Sequence, residues 1–358
     1  MKLVLLQVTV AVAVLSILTA CGGGSDGATT PTQKDVANFA TGTVKTTTTT
    51  SLPVSIVTSV VTPTYAKNSK ELEVFELLNK ERFSCGFGYY AQNQKLDISA
   101  LGHAKWLVNN NYSGHYQASG TPGFTGVSLL DRVTSAGYDL AVAFSTNSQI
   151  IFAGSEVISG QFNSKADESY GVGLLYNLFN APYHLFGLIR GYKDVGIGLF
   201  ANPPNRNNIL SYVTLVIDIG TSVNNVMQNP NSGSIRTYPC EGTTGVGIKM
   251  GGEDPSPVQN RDFSVNPIGS SVAVMIDSGH VLKITSASMI NVSDGSNVAI
   301  LPPVIGSTDV NNRLWANEGF IMADKPMQPN TKYQATINGT DNEMAFSRTF
   351  TFTTRTGG

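Results

Sequence analysis

Residues 194–220 read DVGIGLFANPPNRNNILSYVTLVIDIG, and this stretch decides the fold. Two apolar runs, 194–201 and 209–220, flank residues 202–205, Asn-Pro-Pro-Asn, which form a strong turn signal. In the second run, apolar and polar side chains alternate at Val213, Thr214, Leu215, Ile217, Asp218 and Ile219. Alternation with a period of two is typical of a β-strand. The stretch therefore predicts two antiparallel strands.

Helical periodicity predicts four helices before these strands and a short helical turn just ahead of them. The predicted segments are residues 68–85, 97–110, 128–137 and 166–180, with the turn at 183–190. Asn68 with Glu71 fits an N-cap and its reciprocal partner, and Ser128 with Asp131 opens the third helix. Helices followed by an antiparallel hairpin predict an α/β/α or α+β layer structure.

The rest of the chain has a different pattern. Residues 224–262 are rich in Asn, Pro and Gly, which predicts a boundary or linker. Beyond it, short strand patterns are joined by turns, and no convincing helix interrupts them. These patterns cover residues 271–276, 281–290, 332–338 and 346–354. About 95 residues of this kind fit an all-β sandwich.

Composition limits the functional classes. The 358 residues are enough for two domains, and a hydrophobic content of 41% is enough for sizeable cores. Charged residues make up only 13%, and the net charge is −2. With no basic patch or tail, there is no electrostatic case for nucleic acid as a partner.

The N-terminus predicts the compartment. Lys2 precedes an apolar run at residues 3–18, which reads as a signal peptide over residues 1–20. Leu18-Thr19-Ala20-Cys21 resembles a bacterial lipobox, which implies cleavage before Cys21 and acylation of that residue. The membrane is then a partner through the lipid anchor, and because Gly22 is not an acidic retention signal, an outer-membrane lipoprotein is expected. The alternative is a plain transmembrane anchor.

Two features follow from an exported chain. Residues 21–67 are rich in Thr and Ser with few charges, which predicts a flexible tether. Apart from Cys21, the chain has two cysteines, Cys85 and Cys240, and an even pair in an oxidising compartment predicts a disulfide. The alternative is two buried free thiols.

Two isolated histidines, His115 and His184, are the candidate site residues, and Glu156 and Glu168 lie between them. Zinc sites use imidazole nitrogens and carboxylate oxygens, so His115 and His184 could converge with Glu156. There is no HExxH motif, which would place two ligands on one helical turn. The alternative is that both are ordinary hydrogen-bonded histidines.

Two other polar residues are interpreted as structural. His103 lies in the middle of the second predicted helix and reads as a packing or hydrogen-bonded histidine. Arg132 follows Asp131 directly, and the simplest interpretation is a local ion pair, which contributes little if exposed. Neither residue enters the predicted site.

Short motifs in the region 72–220 resemble the CAP superfamily (cysteine-rich secretory proteins, antigen 5, pathogenesis-related 1) in its bacterial form. In order they are LNKER at 78–82, residues 100–106, Gly114-His115, LDRV at 130–133 with AGY at 136–138, GSEVI at 154–158, APYH at 181–184 and YKDVGIG at 192–198. Each is weak alone, but their order over about 150 residues makes the match fairly specific.

The resemblance implies an α/β/α sandwich with a cleft lined by two histidines and two acidic residues, which in some members holds a divalent metal such as zinc. Carried over, these residues are His115, Glu156, His184 and, as the second acidic position, Glu168. The GSEVI motif has an added Ser155 and lacks the usual Asn. Glu168 has no clear motif, and its alternative role is to cap the fourth helix. No other cofactor is predicted.

The C-terminal region resembles bacterial Ig-like domains of the Big-5 type, through PMQPNTKY at 326–333, INGT at 337–340 and FTFTT at 350–354. The resemblance implies a spacer or binding module without catalytic residues. The predicted division is a signal peptide at 1–20, a tether at 21–67, a CAP domain at 68–223, a linker held by Cys240 at 224–262, and an Ig-like β-sandwich at 263–358.

Three functions follow, in order. The first is an envelope-anchored CAP protein that binds a cell-wall, lipid or protein ligand through its cleft. The second is a hydrolase in which a metal held by His115 and His184, or Glu156 with a histidine, activates water. The third is adhesion through the Ig-like domain. The chain has no GxSxG elbow, no Walker loop and no GxGxxG after a strand, so the chemistries that these motifs carry are set aside. The sequence makes no prediction on whether the protein is an enzyme.

Overall fold

The structure is a computed structural model that describes residues 56–144, 150–164, 170–202, 210–230, 233–250 and 252–357. The predicted signal peptide and the lipidation site Cys21 lie outside these ranges. Among the helices of the described ranges, none is long and apolar enough to cross a membrane.

The elements of the first region are five helices and six strands. The helices are α1 Lys70–Ser84, α2 Gln94–Asn109, α3 Leu129–Ser135, α4 Tyr170–Asn180 and α5 Pro182–Ile189. The strands are β1 Ala91–Gln92, β2 Val142–Phe144, β3 Ile150–Phe152, β4 Gly154–Ser164, β5 Asp194–Ala201 and β6 Leu210–Gly220.

The strands β1, β5, β6 and β4 form one mixed sheet, in that order. Strand β5 pairs antiparallel with β6, as the sequence predicts, and β4 pairs antiparallel with the other edge of β6. The short β1 pairs parallel with β5, and β2 and β3 form a separate antiparallel pair. This arrangement confirms a mixed α/β region with helices packed on a sheet.

Helices cover both faces of this sheet. On one face, a Cβ added to Gly196 or Gly198 would lie 2.0–2.2 Å from the backbone of α2, so α2 lies directly against β5. On the other face, a Cβ added to Gly187 of α5 would lie 2.7 Å from the side chain of Val157 in β4. The polar side of β6 is therefore buried as well, and Asp218 is fully inaccessible.

The helix starts show which capping predictions are correct. Ser128 and Asp131 form the predicted reciprocal capping box at α3. The prediction for α1 is wrong by one residue, because the Ser69 hydroxyl accepts the Leu72 amide while Asn68 has a left-handed φ of 64°. Helix α2 begins at Gln94, three residues earlier than predicted, because the Asn93 side chain caps it.

The C-terminal region contains eight strands and no helix among its described residues. They are β7 Arg236–Tyr238, β8 Thr243–Val246, β9 Ser271–Met275, β10 Leu282–Asn291, β11 Val304–Ile305, β12 Glu318–Met322, β13 Lys332–Asp341 and β14 Met344–Thr354. They form two sheets, in the orders β11-β12-β9-β7 and β10-β13-β14-β8, with mostly antiparallel pairs. The predicted linker 224–262 supplies one strand to each sheet, β7 and β8.

The sheet that contains β9 and β12 is buried on both faces. Val272 and Val274 pack toward the second sheet, in one cluster with Phe350. Ala273 and Phe320 belong instead to the large cluster that includes the side chains of α1, α4 and α5. The α/β region and the β-rich region therefore share one hydrophobic core rather than meeting at a surface contact.

Covalent and polar links join the same two regions. The predicted disulfide between Cys85 and Cys240 is present, and it connects the end of α1 to the segment that follows β7. Arg190, which follows α5, makes two hydrogen bonds to the Glu318 carboxylate, at 2.8 and 2.7 Å, and stacks over Trp315. These contacts fix α5 against the C-terminal sheet.

Two polar residues of the LNKER motif serve the fold. The Asn79 side chain makes hydrogen bonds with both the amide and the carbonyl of Tyr90. Arg82 is fully buried, lies 3.4 Å from the centre of the Tyr90 ring, and donates to the carbonyls of Phe87, Gly88, Leu188 and Arg190. Together they join α1 to the loop that follows it and to the end of α5.

The described end of the predicted tether is attached to this body. The Val57 amide donates to Gln228 Oε1 at 2.7 Å, and Gln228 Nε2 donates to the carbonyls of Tyr89 and Tyr192. Gly88 lies beneath this junction with a φ of +75°, and a Cβ there would lie 2.1 Å from Gln228 Oε1. A buried glutamine thus connects three separate segments of the chain.

Candidate functional site

The candidate site is built around a histidine and a buried carboxylate. His115, in the loop between α2 and α3, donates from Nδ1 to Glu156 Oε1 at 2.9 Å. Glu156 projects from β4 toward α2, and its side chain is only 2% exposed, whereas that of His115 is 39% exposed. The structure therefore brings together two of the predicted site residues, one buried and one half-exposed.

The second carboxylate oxygen of Glu156, Oε2, is bonded to an arginine. Arg132 Nη2 donates to Glu156 Oε2, and Arg132 Nη1 donates to the carbonyls of His115 and Val127. The Arg132 side chain is fully buried, so the ion pair lies out of water. The prediction that Arg132 pairs with Asp131 is wrong, because Asp131 caps α3 while Arg132 points into the site.

The charge on Glu156 is stabilised by its neighbours. Burial by itself raises the pKa of this carboxyl, but the electrostatic interaction with the nearby His103 ring, the charge of Arg132 and the hydrogen bond from His115 outweigh it. The net result is a pKa well below the usual range. Glu156 is therefore a permanent anion that fixes the His115 ring through Nδ1.

A second carboxyl lies directly beside Glu156. Asp218 of β6 is the cross-strand partner of Glu156 and projects from the same face. Within the described residues, neither oxygen of Asp218 has a hydrogen-bond partner of normal geometry. Burial first, and the negative charge of Glu156 second, raise its pKa well above the ordinary value. Of the two adjacent carboxyls, Asp218 therefore holds a proton more tightly than Glu156.

His103 completes the buried part of the site. Its Nε2 lies 3.1 Å from the Gly114 carbonyl, and its Nδ1 lies 3.0 Å from the amide nitrogen of Gln117. A carbonyl on one side and an amide donor on the other assign the neutral tautomer with the proton on Nε2. Burial lowers the pKa of His103 to about 4, in keeping with that state. The prediction of a hydrogen-bonded histidine is confirmed.

The loop that carries His115 exposes apolar side chains. Tyr112, Tyr116, Phe124 and Val127 are between 37% and 64% exposed and all belong to residues 112–127, which we call the His115 loop. The loop is held from below, because Trp106 Nε1 donates to the Thr121 hydroxyl at 2.7 Å and Gln117 is bonded to both His103 and Thr125. Exposed aromatic groups on a tightly held loop are typical of a binding surface.

The second predicted histidine has a different environment. His184 lies in the first turn of α5, where its amide and its Nδ1 both contact Glu253 Oε1, at 2.9 and 2.6 Å. Glu253 Oε2 also accepts the amide of Tyr183, so this carboxylate caps a helix whose own N-cap, Ala181, has no capping side chain. His184 belongs to the face of the sheet that α5 covers, and His115 belongs to the face that α2 covers.

The predicted set of four cleft residues is only partly assembled in the described structure. His115 and Glu156 are in contact, His184 is bonded to Glu253, and Glu168 lies outside the described residues. No group of three or more His, Cys, Asp or Glu side chains is placed to hold a metal ion in the described ranges. Arg132 and His115 already engage both oxygens of Glu156, so His115, Glu156 and His184 as placed do not form a zinc site. Zinc binding, for which Glu168 is also predicted, stays a prediction.

The sequence interpretation missed Arg132, Asp218 and Glu253. A polar residue at an inward position of a strand that is covered on both faces could have pointed to Asp218. Asp131 lies on the exposed side of α3, where it completes the capping box. Arg132 is the next residue along the helix, so helical spacing would have predicted that its side chain points away from solvent. No local signal points to Glu253, which meets His184 from 69 positions away.

Comparison of the chain with protein-family models and with curated proteins gave no match. The chemistry of the site is therefore inferred from its own geometry. An imidazole oriented by a buried anion can accept a proton or a hydrogen bond at Nε2. The aromatic groups of the His115 loop add a surface for an apolar or ring-bearing ligand.

Proposed function

We propose that this protein is an envelope-anchored ligand-binding protein of the CAP type, with an α/β/α sandwich followed by an Ig-like β-sandwich. Helices on both faces of the first sheet and the contact between His115 and Glu156 support the CAP assignment. The two stacked sheets after residue 236 support the Ig-like assignment. The disulfide between Cys85 and Cys240 is in keeping with an oxidising compartment.

The ligand would bind at the His115 loop. The observation that carries this proposal is the fixed His115 ring, held by Glu156 from below and surrounded in sequence by exposed aromatic side chains. Such a surface suits a cell-wall, lipid or protein ligand that offers both a hydrogen-bonding group and an apolar part. Binding needs the ring and the aromatic groups, whereas the buried charges serve to orient them.

Binding assays with matched surface variants test the proposal. We would measure sedimentation of the protein with purified peptidoglycan and with anionic lipid vesicles, using wild type, His115→Ala and Tyr116→Ser. Met344→Ser is the control, because Met344 is 77% exposed on the C-terminal hairpin. Loss of binding in the two loop variants alone supports the proposal. Loss in the Met344 variant alone would move the site to the Ig-like region and favour adhesion.

A second function, hydrolysis, is favoured by one observation, the pairing of an accessible imidazole with a buried carboxylate. In that function, His115 Nε2 acts as the general base that takes a proton from water, and Glu156 stabilises the imidazolium that forms. Assays on peptidoglycan, casein and lipid esters with His115→Ala and Glu156→Gln test it. Hydrolysis that both variants retain in full would exclude this role for the pair.

The proposed anchor is tested separately. We expect Cys21→Ala to move the protein from the membrane fraction to the soluble fraction and to abolish incorporation of radiolabelled palmitate. Cys85→Ser, which removes a different cysteine, is the control and should leave palmitate incorporation intact. Equal labelling of wild type and Cys21→Ala would contradict acylation at Cys21.

A further inference from the structure

A cavity lies where the α/β region meets the C-terminal sheets, away from the His115 loop. Its volume is about 210 Å³, and its walls include Arg190, Asn229, Arg236, Met275, Ser278 and Trp315. This volume is below the ~300 Å³ at which pockets begin to hold drug-sized ligands, so the space suits a small molecule. The apolar wall comes from the methionine and tryptophan side chains, and the polar wall comes from the two arginines and the asparagine.

The two arginines of the cavity differ in what they contact. The Nε and Nη2 edge of Arg190 is directed at the Glu318 carboxylate, and Nη2 also donates to the Arg313 carbonyl, so the charge of Arg190 is neutralised within the protein. Arg236 is only 9% exposed, yet its Nη2 makes one long contact of 3.4 Å to the Ile276 carbonyl. Its Nε has no hydrogen-bond partner in the described part of the chain.

The nearest opposite charge does not satisfy Arg236. Asp277 acts on Arg236 electrostatically, but its Oδ2 accepts the Gly233 amide at 2.7 Å and its Oδ1 has no partner among the described residues. The guanidinium also lies over the Phe87 ring, 5.3 Å from its centre, so it is buried with one donor, Nε, unused in the described structure. Leaving a buried charge uncompensated is costly, and an anion in the cavity would remove that cost.

We propose that this cavity binds a small carboxylic acid with an apolar or aromatic body, whose carboxylate pairs with Arg236. The planar guanidinium matches a carboxylate with two parallel hydrogen bonds. The apolar body would lie against Met275 and Trp315. Asn229 Oδ1, which is buried and without a partner in the described residues, would accept a hydrogen bond from a donor on the ligand.

Calorimetric titration of the whole protein tests the site, with benzoate as the probe and acetate and sulfate as comparisons at constant ionic strength. We expect saturable benzoate binding that is tighter than acetate binding. In Arg236→Gln the affinity should fall at least about tenfold, as expected for loss of a charge-assisted pair. Arg355→Gln is the matched control, because Arg355 also has a buried, unpartnered Nε within the described residues but lies outside the cavity.

A second variant protects the test from misfolding. Ser278 is exposed at the cavity wall, so Ser278→Trp should fold normally and block benzoate. If circular dichroism shows that Arg236→Gln is unfolded, the Ser278 variant decides. Absence of saturable benzoate binding to wild type, unchanged binding in the decisive variant, or sulfate binding as tight as benzoate binding would each overturn the proposal.

Discussion

Glu156 and Asp218 face each other across two neighbouring strands, yet their surroundings shift the pKa values of the two carboxyls in opposite directions. Arg132 and His115 contact Glu156, whereas in the described structure Asp218 has no hydrogen-bond partner of normal geometry. Two adjacent buried anions would repel strongly, so the proton remains on the less supported group. The site therefore keeps one fixed negative charge directly beneath His115.

Asp218→Asn tests this charge assignment. Because the folded pKa of Asp218 is raised, the unfolded chain loses its proton first as pH increases through about 4, and wild-type stability falls until the folded pKa is reached. The amide variant lacks this loss. We expect the difference in free energy of unfolding to shift in favour of Asp218→Asn between pH 4 and pH 8, measured by urea unfolding. Asp139→Asn, at an exposed position, is the control.

His103 gives the stability of the protein a pH dependence opposite in sign to that from Asp218. Its folded pKa of about 4 lies below the ordinary value of 6.5, so the stability it contributes is complete above pH 6.5 and is lost as pH falls toward 4. The shift corresponds to about 3 kcal/mol. We expect His103→Gln, which keeps a donor and an acceptor, to lose about that much less stability between pH 7 and pH 4 in urea unfolding. An identical loss in both proteins would contradict a neutral buried His103.

At the scale of single residues, the sequence indicates which groups are chemically capable but not which ones meet. The short motifs single out His115 and Glu156, and the structure places them in contact. Arg132 was assigned to its sequence neighbour because local pairing is the simplest interpretation of adjacent charges. Its actual partner comes from β4, 24 positions away, and only the tertiary fold, in which α3 packs against α2, brings them together.

At the scale of helices and strands, the close approach of α2 to β5 depends on two glycines of β5, Gly196 and Gly198. Gly198→Ala would place a methyl group 2.2 Å from the Leu101 amide nitrogen, so α2 would have to move off the sheet. We expect a loss of at least about 3 kcal/mol in free energy of unfolding, in the range of severe core overpacking. Thermal and urea unfolding would measure it.

The control for this prediction is another glycine-to-alanine change. Gly173 of α4 has no atom within 4 Å of an added Cβ. Alanine there should stabilise the helix by about 0.5–1 kcal/mol, because glycine is a poor residue for a helix interior. Equal effects of the two substitutions would show that close packing of α2 on β5 is not what Gly198 provides.

Most of the longer helices and strands can be predicted from the local sequence pattern, but the depth of their burial cannot. The helices, the β5–β6 hairpin and the main C-terminal strands are visible in periodicity and turn residues. The alternation in β6 indicates a half-buried strand, but α2 covers the second face and buries Asp218 and Thr214. Eight of the described strands are not predicted: β1, β2, β3, β4, β7, β8, β11 and β12. Most of them are short, or lie in stretches rich in Asn, Pro and Gly, but β4 has 11 residues and carries Glu156.

For the whole molecule, the disulfide is expected to support both regions at once. It closes a loop with a sequence separation of 155 residues, for which the chain-entropy relation gives about 5 kcal/mol. We expect Cys85→Ser/Cys240→Ser to lose several kcal/mol and still to unfold in one transition, because the regions share a core. Two resolved transitions by calorimetry, one for each region, would contradict the shared core.

The whole-molecule organisation is the part that sequence predicts least. A strand whose two faces contact different regions, such as β9, has the same apolar composition as a strand inside an independent domain. The predicted division into a CAP domain, a linker and an Ig-like domain therefore describes the pattern along the chain, while residues 224–262 enter both C-terminal sheets. Glu253 and Glu318, which hold α5, are recognisable only from the folded arrangement.

The Gln228 junction has a mechanical consequence. A pull on the segment before residue 56 would reach the folded body at Val57, whose amide is bonded to Gln228. Gln228 in turn donates to the carbonyls of Tyr89 and Tyr192, so the force would be distributed over both segments. Tyr192 lies close to the start of β5, and Tyr89 lies in the loop after Cys85, which the disulfide holds. Traction from the N-terminal side would therefore be shared by several backbone segments in parallel, rather than peeling one strand away at a time.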